Sequence, residues 1–151
     1  MRGTYTIVIS CKKSVNLRFG RLGRAKTLRG LYVYSGSALG QGAVSIEGRI
    51  SRHSRSHKKA RWHVDYMTSN QWCTVKAAIW VESERHLECN VNSMLVERLD
   101  ACPPLPHIGA SDCKCRGHLM QVTSLSEENL LSQIHKVYCK FGNPVYLAIT
   151  R

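Results

Sequence analysis

Arg49, His53 and Glu88 combine residue types and positions that could act on a phosphodiester. Arg49 and His53 are four residues apart, which places both side chains on one face of a predicted helix. Glu88 falls on the apolar face of a second predicted helix, where a carboxylate is costly unless it is paired or binds a metal ion. Metal-assisted hydrolysis needs a cation, a metal ligand, a base and a phosphate cradle. The alternatives are a solvated Arg49 and a Glu88 that is paired with another arginine.

The candidate bases are tyrosines and His53. Tyr5 and Tyr34 lie on predicted strands close to the basic helix, and Tyr32 is a weaker candidate. A phenol has an ordinary pKa of about 10, so neighbouring cations must lower it before it can serve as a base. Cations are abundant in this part of the sequence. The alternative is that these tyrosines pack in the core.

Residues 30–42 supply a candidate cradle for the phosphate. An apolar, aromatic run predicts a strand, and glycines at positions 36, 40 and 42 predict a loop that leads into the helix of Arg49. Backbone N–H groups at a helix N-terminus bind anions, and glycine lets the backbone come close to them. The alternative is a plain strand-to-helix connection.

Cys113, Cys115 and His118 form a second cluster with potential for chemistry. Two thiols and an imidazole within six residues could hold a structural zinc ion, although the spacing of the cysteines is tighter than usual. The sequence does not identify a fourth ligand, and Cys102 and His107 are the nearest candidates. The alternative is a loop that packs or that presents Lys114 and Arg116 to nucleic acid.

The charge distribution favours a polyanionic partner. The net charge is +12, and residues 1–62 hold 14 of the 22 Lys and Arg but a single acid, Glu47. A one-sided positive field favours nucleic acid first and an anionic membrane second, with a solvated basic face as the remaining alternative. The predicted nucleic-acid contacts are Gly36, Arg52, Arg55, Lys58, Lys59, Arg61, Lys114 and Arg116.

The overall composition predicts one domain over residues 1–151, with a core at 1–121 and a helix and tail at 122–151 packed on it. No apolar run approaches 18 residues and the apolar N-terminal stretch is short, so neither a membrane span nor a signal peptide is expected. Seven scattered cysteines then predict reduced thiols and a cytoplasmic location. A monomer is favoured slightly over an oligomer.

Strands and helices alternate in the predicted order of elements. Alternating or apolar runs predict strands at 4–11, 15–19, 31–34, 72–82 and 119–122, and a last strand or ordered arm at 145–149. Helical periodicity predicts helices at 43–55 and 62–70, a third that follows a Ser83 cap and runs to about residue 100, and a fourth at 126–141 that begins with a Ser126 cap. The pattern indicates an α/β fold in which helices flank a small, mainly antiparallel central sheet.

The chain resembles the GIY-YIG nuclease domain. Gly-Thr-Tyr at 3–5 and Tyr-Ser-Gly at 34–36 stand where that family has its two name-giving motifs, and Arg49, His53 and Glu88 match its arginine, its following His or Tyr, and its metal-binding glutamate. Residues 32–40, 62–66, 88–89 and 109–115 are similar to a group of small stand-alone, mostly archaeal members. The chain departs from the family in a longer hairpin between the two motifs. It also has no clear counterpart of the family's downstream asparagine, near which Ser111 and Asp112 stand.

The resemblance implies a three-layer α/β sandwich. It also implies a metal-dependent DNA endonuclease, with DNA repair or DNA processing as its expected role. Tyr5, assisted by Tyr34 or His53, would activate water, Arg49 would stabilise the transition state, and Glu88 would hold one Mg²⁺ or Mn²⁺. RNA is an alternative substrate. The alternative function is a non-catalytic nucleic-acid-binding module on the same scaffold.

Overall fold

A computed structural model of the chain describes residues 1–110, 113–123 and 125–150. The strands are β1 Gly3–Cys11, β2 Val15–Arg18, β3 Arg24–Thr27, β4 Gly30–Ala38, β5 Cys73–Glu82, β6 Leu119–Val122 and β7 Val145–Ala148. Five of them form one sheet in the order β6-β4-β1-β5-β7, and every neighbouring pair is antiparallel. The two others, β2 and β3, form a separate hairpin.

Helices cover both faces of the sheet. The helices are α1 Ile46–Ser54, α2 His63–Thr68, α3 Glu88–Leu99 and α4 Glu127–Tyr138. The first two share one apolar cluster with the sheet, and the last two share another. The predicted α/β sandwich with a small antiparallel central sheet is therefore confirmed. In the part of the chain that the structure describes, no helix is long and apolar enough to cross a membrane.

The central strand β1 joins the two apolar clusters. Its side chains alternate between the faces, so Tyr5 and Ile7 pack towards α1 and α2 while Val8 packs towards α3 and α4. The Thr6 hydroxyl lies 2.7 Å from the phenol oxygen of Tyr138, which connects β1 to the end of α4. Nearly every residue of β1 is buried, as expected of a strand covered on both faces.

Strand β4 extends further than the sequence predicts. The expected loop at Gly36 is part of the strand, because Gly36 pairs with Tyr5 across the ladder to β1. The strand continues to Ala38, and a short 3₁₀ turn at Gly42–Val44 then leads to α1. The Ser45 side chain accepts the N–H of Gly48 and caps α1, which therefore begins three residues later than predicted.

Helix α3 also begins later than predicted. Its expected cap, Ser83, instead accepts the N–H of Arg85 in a local turn. The N–H of Leu87 lies 3.3 Å from the Thr4 hydroxyl, which fixes the end of that turn against β1. Glu88 is consequently the first residue of the helix rather than a member of its interior.

The prediction of reduced thiols is wrong for one pair of cysteines. Cys11 and Cys73 form a disulfide between the paired ends of β1 and β5. These residues are 62 positions apart in sequence, so only the register of the two strands reveals that they are neighbours. The other five cysteines are free thiols.

Candidate active site and metal centre

A cavity of about 300 Å³ opens between β4, the starts of α2 and α3, and the loop that precedes β6. Three residues of the predicted catalytic set, Tyr34, Arg49 and Glu88, line this cavity although they lie on three different elements. Gly36 and Arg61 of the predicted nucleic-acid contacts line it as well. The fold thus brings separate stretches of sequence to one open site.

Tyr5 and His53, the two other predicted catalytic residues, lie behind the cavity wall. Both are completely buried, and the Tyr5 hydroxyl lies 2.8 Å from Nε2 of His53. Tyr34 is in ring contact with both, with centroids 6.4 Å from Tyr5 and 5.5 Å from His53. Tyr34 therefore reaches the cavity, whereas Tyr5 does not.

Burial keeps Tyr5 and His53 neutral. Desolvation, followed by the neighbouring Tyr34, raises the pKa of Tyr5 well above its ordinary value. Desolvation lowers the pKa of His53 to about 3, and the Asp65 carboxylate only partly opposes this effect. A hydrogen bond joins the Tyr5 hydroxyl to Nε2 of the neutral His53 ring. The pair is thus a fixed, uncharged support behind Tyr34.

Gly36 has a packing role that sequence alone does not reveal. A Cβ atom built on Gly36 would lie 2.8 Å from the hydroxyl oxygen of Tyr5, inside van der Waals contact. The absence of a side chain lets Tyr5 lie against β4 and reach His53. Gly36 also lines the cavity, so its backbone is open to a ligand.

Trp62 positions Arg49 at the cavity. The guanidinium carbon of Arg49 lies 4.4 Å from the centroid of the Trp62 ring, and that of Arg52 lies 5.0 Å from it. Trp62 is half-buried and lines the cavity beside Arg49. Sequence analysis missed this role, because a tryptophan thirteen residues from Arg49 has no spacing that signals contact with it.

Asp65 fixes the segment that carries Trp62. One oxygen of this fully buried carboxylate accepts from Arg52 Nη2 at 2.7 Å and from the N–H groups of Arg61 at 2.8 Å and Trp62 at 3.0 Å. Desolvation acts to raise the pKa of Asp65, but these three donors together hold it below its ordinary value. The sequence does not single out Asp65, although it stands three residues after Trp62 as a capping-box acid does.

Glu88 projects from the first turn of α3 into the cavity. Its carboxylate accepts a hydrogen bond from the Ser37 hydroxyl and lies 3.5 Å from Nδ1 of His86. The Glu88 side chain is 23% exposed, so it is not the buried core carboxylate that the helical pattern suggested. Glu88 lines the cavity, and a carboxylate is a ligand that hard divalent cations prefer.

His63 also lines the cavity and was missed as a site residue. Its Nδ1 accepts the backbone N–H of Gly109 at 2.9 Å. In the neutral ring, Nε2 therefore carries the proton and can donate to a ligand. Ser111 and Asp112, named as neighbours of the missing asparagine, lie outside the described residues.

Four side chains form a cluster beside the cavity that can bind a metal ion. Cys89, Cys113, Cys115 and His118 each offer one ligand atom, and these atoms all lie within 4.8 Å of one another. Nε2 of His118 lies 3.4 Å from Cys113 Sγ and 3.7 Å from Cys89 Sγ. A tetrahedral zinc site with ordinary bond lengths has S···N edges of about 3.6 Å. The donor set and its spacing thus fit zinc, whereas Mg²⁺ prefers oxygen ligands.

The surroundings of His118 support this assignment of ligands. Its Nδ1 lies 3.1 Å from the carbonyl oxygen of Ser35, so that nitrogen donates to the backbone and Nε2 faces the thiols. Metal-binding histidines are commonly oriented by such a bond. In the absence of metal, desolvation and the two neighbouring cysteines raise the pKa of Cys89 to about 12. Metal binding would therefore release a proton from this thiol.

The fourth member of the cluster is Cys89 rather than Cys102 or His107. Cys102 is exposed, and Nδ1 of His107 lies 3.1 Å from the carbonyl oxygen of Cys115. Cys89 follows Glu88 directly in the sequence, and it is 24 residues from Cys113. A separation of that size does not predict shared metal ligation without knowledge of how α3 packs.

The predicted nucleic-acid contacts divide into exposed and internal groups. Arg52 is held by Asp65, and Nζ of Lys58 donates to the carbonyl groups of Arg52, His53 and Arg55, which stabilises the C-terminus of α1. The exposed members are Arg55, Lys59, Arg61, Lys114 and Arg116. Only the exposed group presents charge to a partner.

A family model described as a domain of unknown function, DUF123, matches residues 4–142. The matched residues include the cavity lining, the Cys₃His cluster and helix α4. Sequence analysis predicted that this helix is an addition to the core. No curated protein and no solved structure matches the chain.

Proposed function

We propose that this chain, which belongs to the DUF123 family, is a divalent-metal-dependent DNA endonuclease of the GIY-YIG type. The observation that carries the proposal is the convergence of Tyr34, Arg49 and Glu88 on one cavity. A hydroxyl, a guanidinium and a carboxylate can supply the base, the cation and the metal ligand of metal-assisted phosphodiester hydrolysis. The strongly basic first 62 residues fit a polyanionic substrate.

The proposed mechanism assigns one role to each group in the cavity. Arg49, fixed against Trp62, contacts the non-bridging oxygens of the scissile phosphate and stabilises the charge that develops there. In its deprotonated form, Tyr34 would orient the attacking water and take its proton, becoming a neutral phenol, with the neutral Tyr5–His53 pair behind it as support. Glu88 would hold Mg²⁺ or Mn²⁺, which supplies Lewis-acid stabilisation of the leaving oxygen when bound. One P–O bond forms to water and the P–O bond to the leaving oxygen breaks.

The structure changes which tyrosine we assign as the base. The family resemblance implies Tyr5, but Tyr5 is fully buried and its pKa is raised, whereas Tyr34 lines the cavity. Tyr34→Phe is expected to reduce the cleavage rate by about 100-fold or more, the usual contribution of a general base. Tyr5→Phe should reduce it less. A larger loss in Tyr5→Phe, in a variant that remains folded, would return the role to Tyr5.

The test of the nuclease proposal is incubation with plasmid and branched DNA in Mg²⁺, Mn²⁺ or EDTA. Glu88→Ala should abolish metal-dependent cleavage while DNA binding, measured by gel retardation, persists. Glu97→Ala is the matched control, because Glu97 is an exposed acid on the same helix. Cleavage that continues undiminished in Glu88→Ala would overturn the assignment of this residue.

A non-catalytic nucleic-acid-binding module is the second candidate function. Its support is the burial of Tyr5 and His53, two of the three predicted bases, which leaves Tyr34 as the one predicted base that lines the cavity. The same incubation separates the two proposals. Retardation of DNA without nicking under any of the metal conditions would favour the binding module.

We also propose that the Cys₃His cluster holds a structural zinc ion. The support is the donor set, the tetrahedral spacing and the orientation of His118 by the Ser35 carbonyl. Metal analysis of the purified protein should give one zinc per chain. A zinc ratio near zero after purification in zinc-supplemented buffer would remove this proposal.

A further inference from the structure

The β2–β3 hairpin carries a group of cations that the proposed site does not use. Residues 12–29 contain seven Lys and Arg and no acid. All seven are exposed, and no ion pair joins any of them to an acid within residues 1–110, 113–123 and 125–150. These cations are Lys12, Lys13, Arg18, Arg21, Arg24, Lys26 and Arg29.

The pairing of the two strands concentrates charge on one face of the hairpin. Arg18 lies directly opposite Arg24, and Asn16 lies opposite Lys26. Like charges in directly opposite positions destabilise a strand pair unless a counter-charge compensates them. The alternate residues Leu17 and Ala25 are half-buried and pack against the core. One face of the ribbon is thus cationic, and the other is anchored.

The tip of the hairpin is fixed close to the cavity. Phe19 is fully buried, and Gly20 adopts a positive φ of 59° beside the ring of Tyr66 in α2. Tyr66 is three residues after His63, which lines the cavity, so the two Cα atoms are about one helical turn apart. The tip of the hairpin therefore packs against the same helix that contributes His63 to the cavity.

We propose that the β2–β3 hairpin binds the phosphate backbone of duplex DNA beside the cavity, an inference that rests on the proposed nuclease function. A two-stranded ribbon has dimensions that fit a groove of duplex DNA, and arginines and lysines supply phosphate contacts without reading sequence. An anionic membrane fits less well, because Leu17 and Ala25 pack against the core. Within residues 12–29, Leu28 alone is an exposed large apolar side chain, which is little for insertion into a membrane.

The test measures binding of a 30-base-pair DNA duplex over a series of salt concentrations in EDTA, so that no cleavage occurs. The triple variant Arg18→Gln, Arg24→Gln and Lys26→Gln should reduce the slope of log K against log salt by about 2.7, or 0.9 for each lost phosphate contact. The charge-matched control replaces three exposed cations of the α3–α4 face with glutamine: Arg98, Lys136 and Lys140. The control should keep the wild-type slope.

The outcomes separate this inference from the nuclease proposal. A wild-type slope in the hairpin variant, or an equal loss in the control, would overturn the inference whatever the cleavage activity is. A reduced slope only in the hairpin variant would support it, even if the wild-type protein does not cut DNA in Mg²⁺ or Mn²⁺. Hairpin-dependent binding to vesicles of anionic phospholipid, without binding to the duplex, would also overturn it. Equal thermal unfolding midpoints would show that both triple variants remain folded.

Discussion

The two walls of the cavity are held by different forces. The wall of Arg49 and Tyr34 is supported by core packing, by the Tyr5–His53 hydrogen bond and by the stacked Trp62. The other wall contains the Cys₃His cluster, which joins the start of α3 to the loop before β6. Both walls are anchored in the apolar core, but only the second contains side chains that can bind a metal ion. The difference indicates that metal should govern one wall and leave the other intact.

The largest effect is expected from the removal of one side chain of the Cys₃His cluster. Cys115→Ser should bring the zinc content close to zero and lower the unfolding midpoint by about 10 °C, because a lost structural metal removes several kcal/mol from a chain of this size. Hydrogen exchange should accelerate at residues 113–118, while β1 stays protected. Cys102→Ser is the control, since this exposed thiol lies outside the cluster. Equal loosening of both walls would contradict the comparison.

The second-largest effect on stability is expected from a substitution of Asp65, which supports the wall of Arg49 and Tyr34. Asp65→Asn removes the charge that compensates Arg52 and should cost about 3 kcal/mol, or roughly 6–12 °C in the unfolding midpoint. Zinc content should remain unchanged. Asp100→Asn is a suitable control, because Asp100 is exposed and has a left-handed φ of 50° that asparagine tolerates. Loss of zinc from Asp65→Asn would show that the walls are not independent.

The smallest effect is a pH dependence that belongs to His53. Its pKa is about 3 when folded and about 6.5 when unfolded, so the unfolded chain binds the extra proton as the pH falls. The stability from the neutral ring is present above pH 6.5 and is lost as the pH falls towards 3. Between pH 6.5 and 5 the loss should be about 1.5 kcal/mol, above the range in which Asp65 and Glu47 titrate.

The measurement is the free energy of urea unfolding at pH 6.5 and pH 5. His53→Gln should show a smaller decline over this interval than the wild-type protein. His135→Gln should keep the full decline, because His135 is exposed on α4. An identical decline in His53→Gln would show that His53 is not the group responsible.

The sequence predicts elements better than it predicts partners. Alternation and apolar runs locate β1 and β5, and the Ser126 cap with its amphipathic pattern locates α4. The predicted start of α3 is too early. Ser83 is a common capping residue, but its side chain accepts the N–H of Arg85 in a local turn instead. A residue type therefore indicates what a side chain can do, while the tertiary neighbours decide which option it takes.

The same limit applies to the two walls of the site. Tyr34, Arg49 and Glu88 were predicted from residue type and from family resemblance, and they meet at the cavity. Cys89 and Trp62 were missed as site residues, because their partners are distant in sequence and no local period connects them. Ligands and stacking partners that come from different elements become visible only when the elements are packed.

The central claim is that Arg49 and Glu88, on separate helices, act in one phosphodiesterase site. The most direct measurement is the rate of plasmid nicking in Mg²⁺ or Mn²⁺ by the wild-type protein, Arg49→Ala, Glu88→Ala and the Glu97→Ala control. We predict that the first two variants each lose about 100-fold or more of the rate while they still retard DNA, and that the control retains it. Nicking at the wild-type rate by either Arg49→Ala or Glu88→Ala would contradict the account.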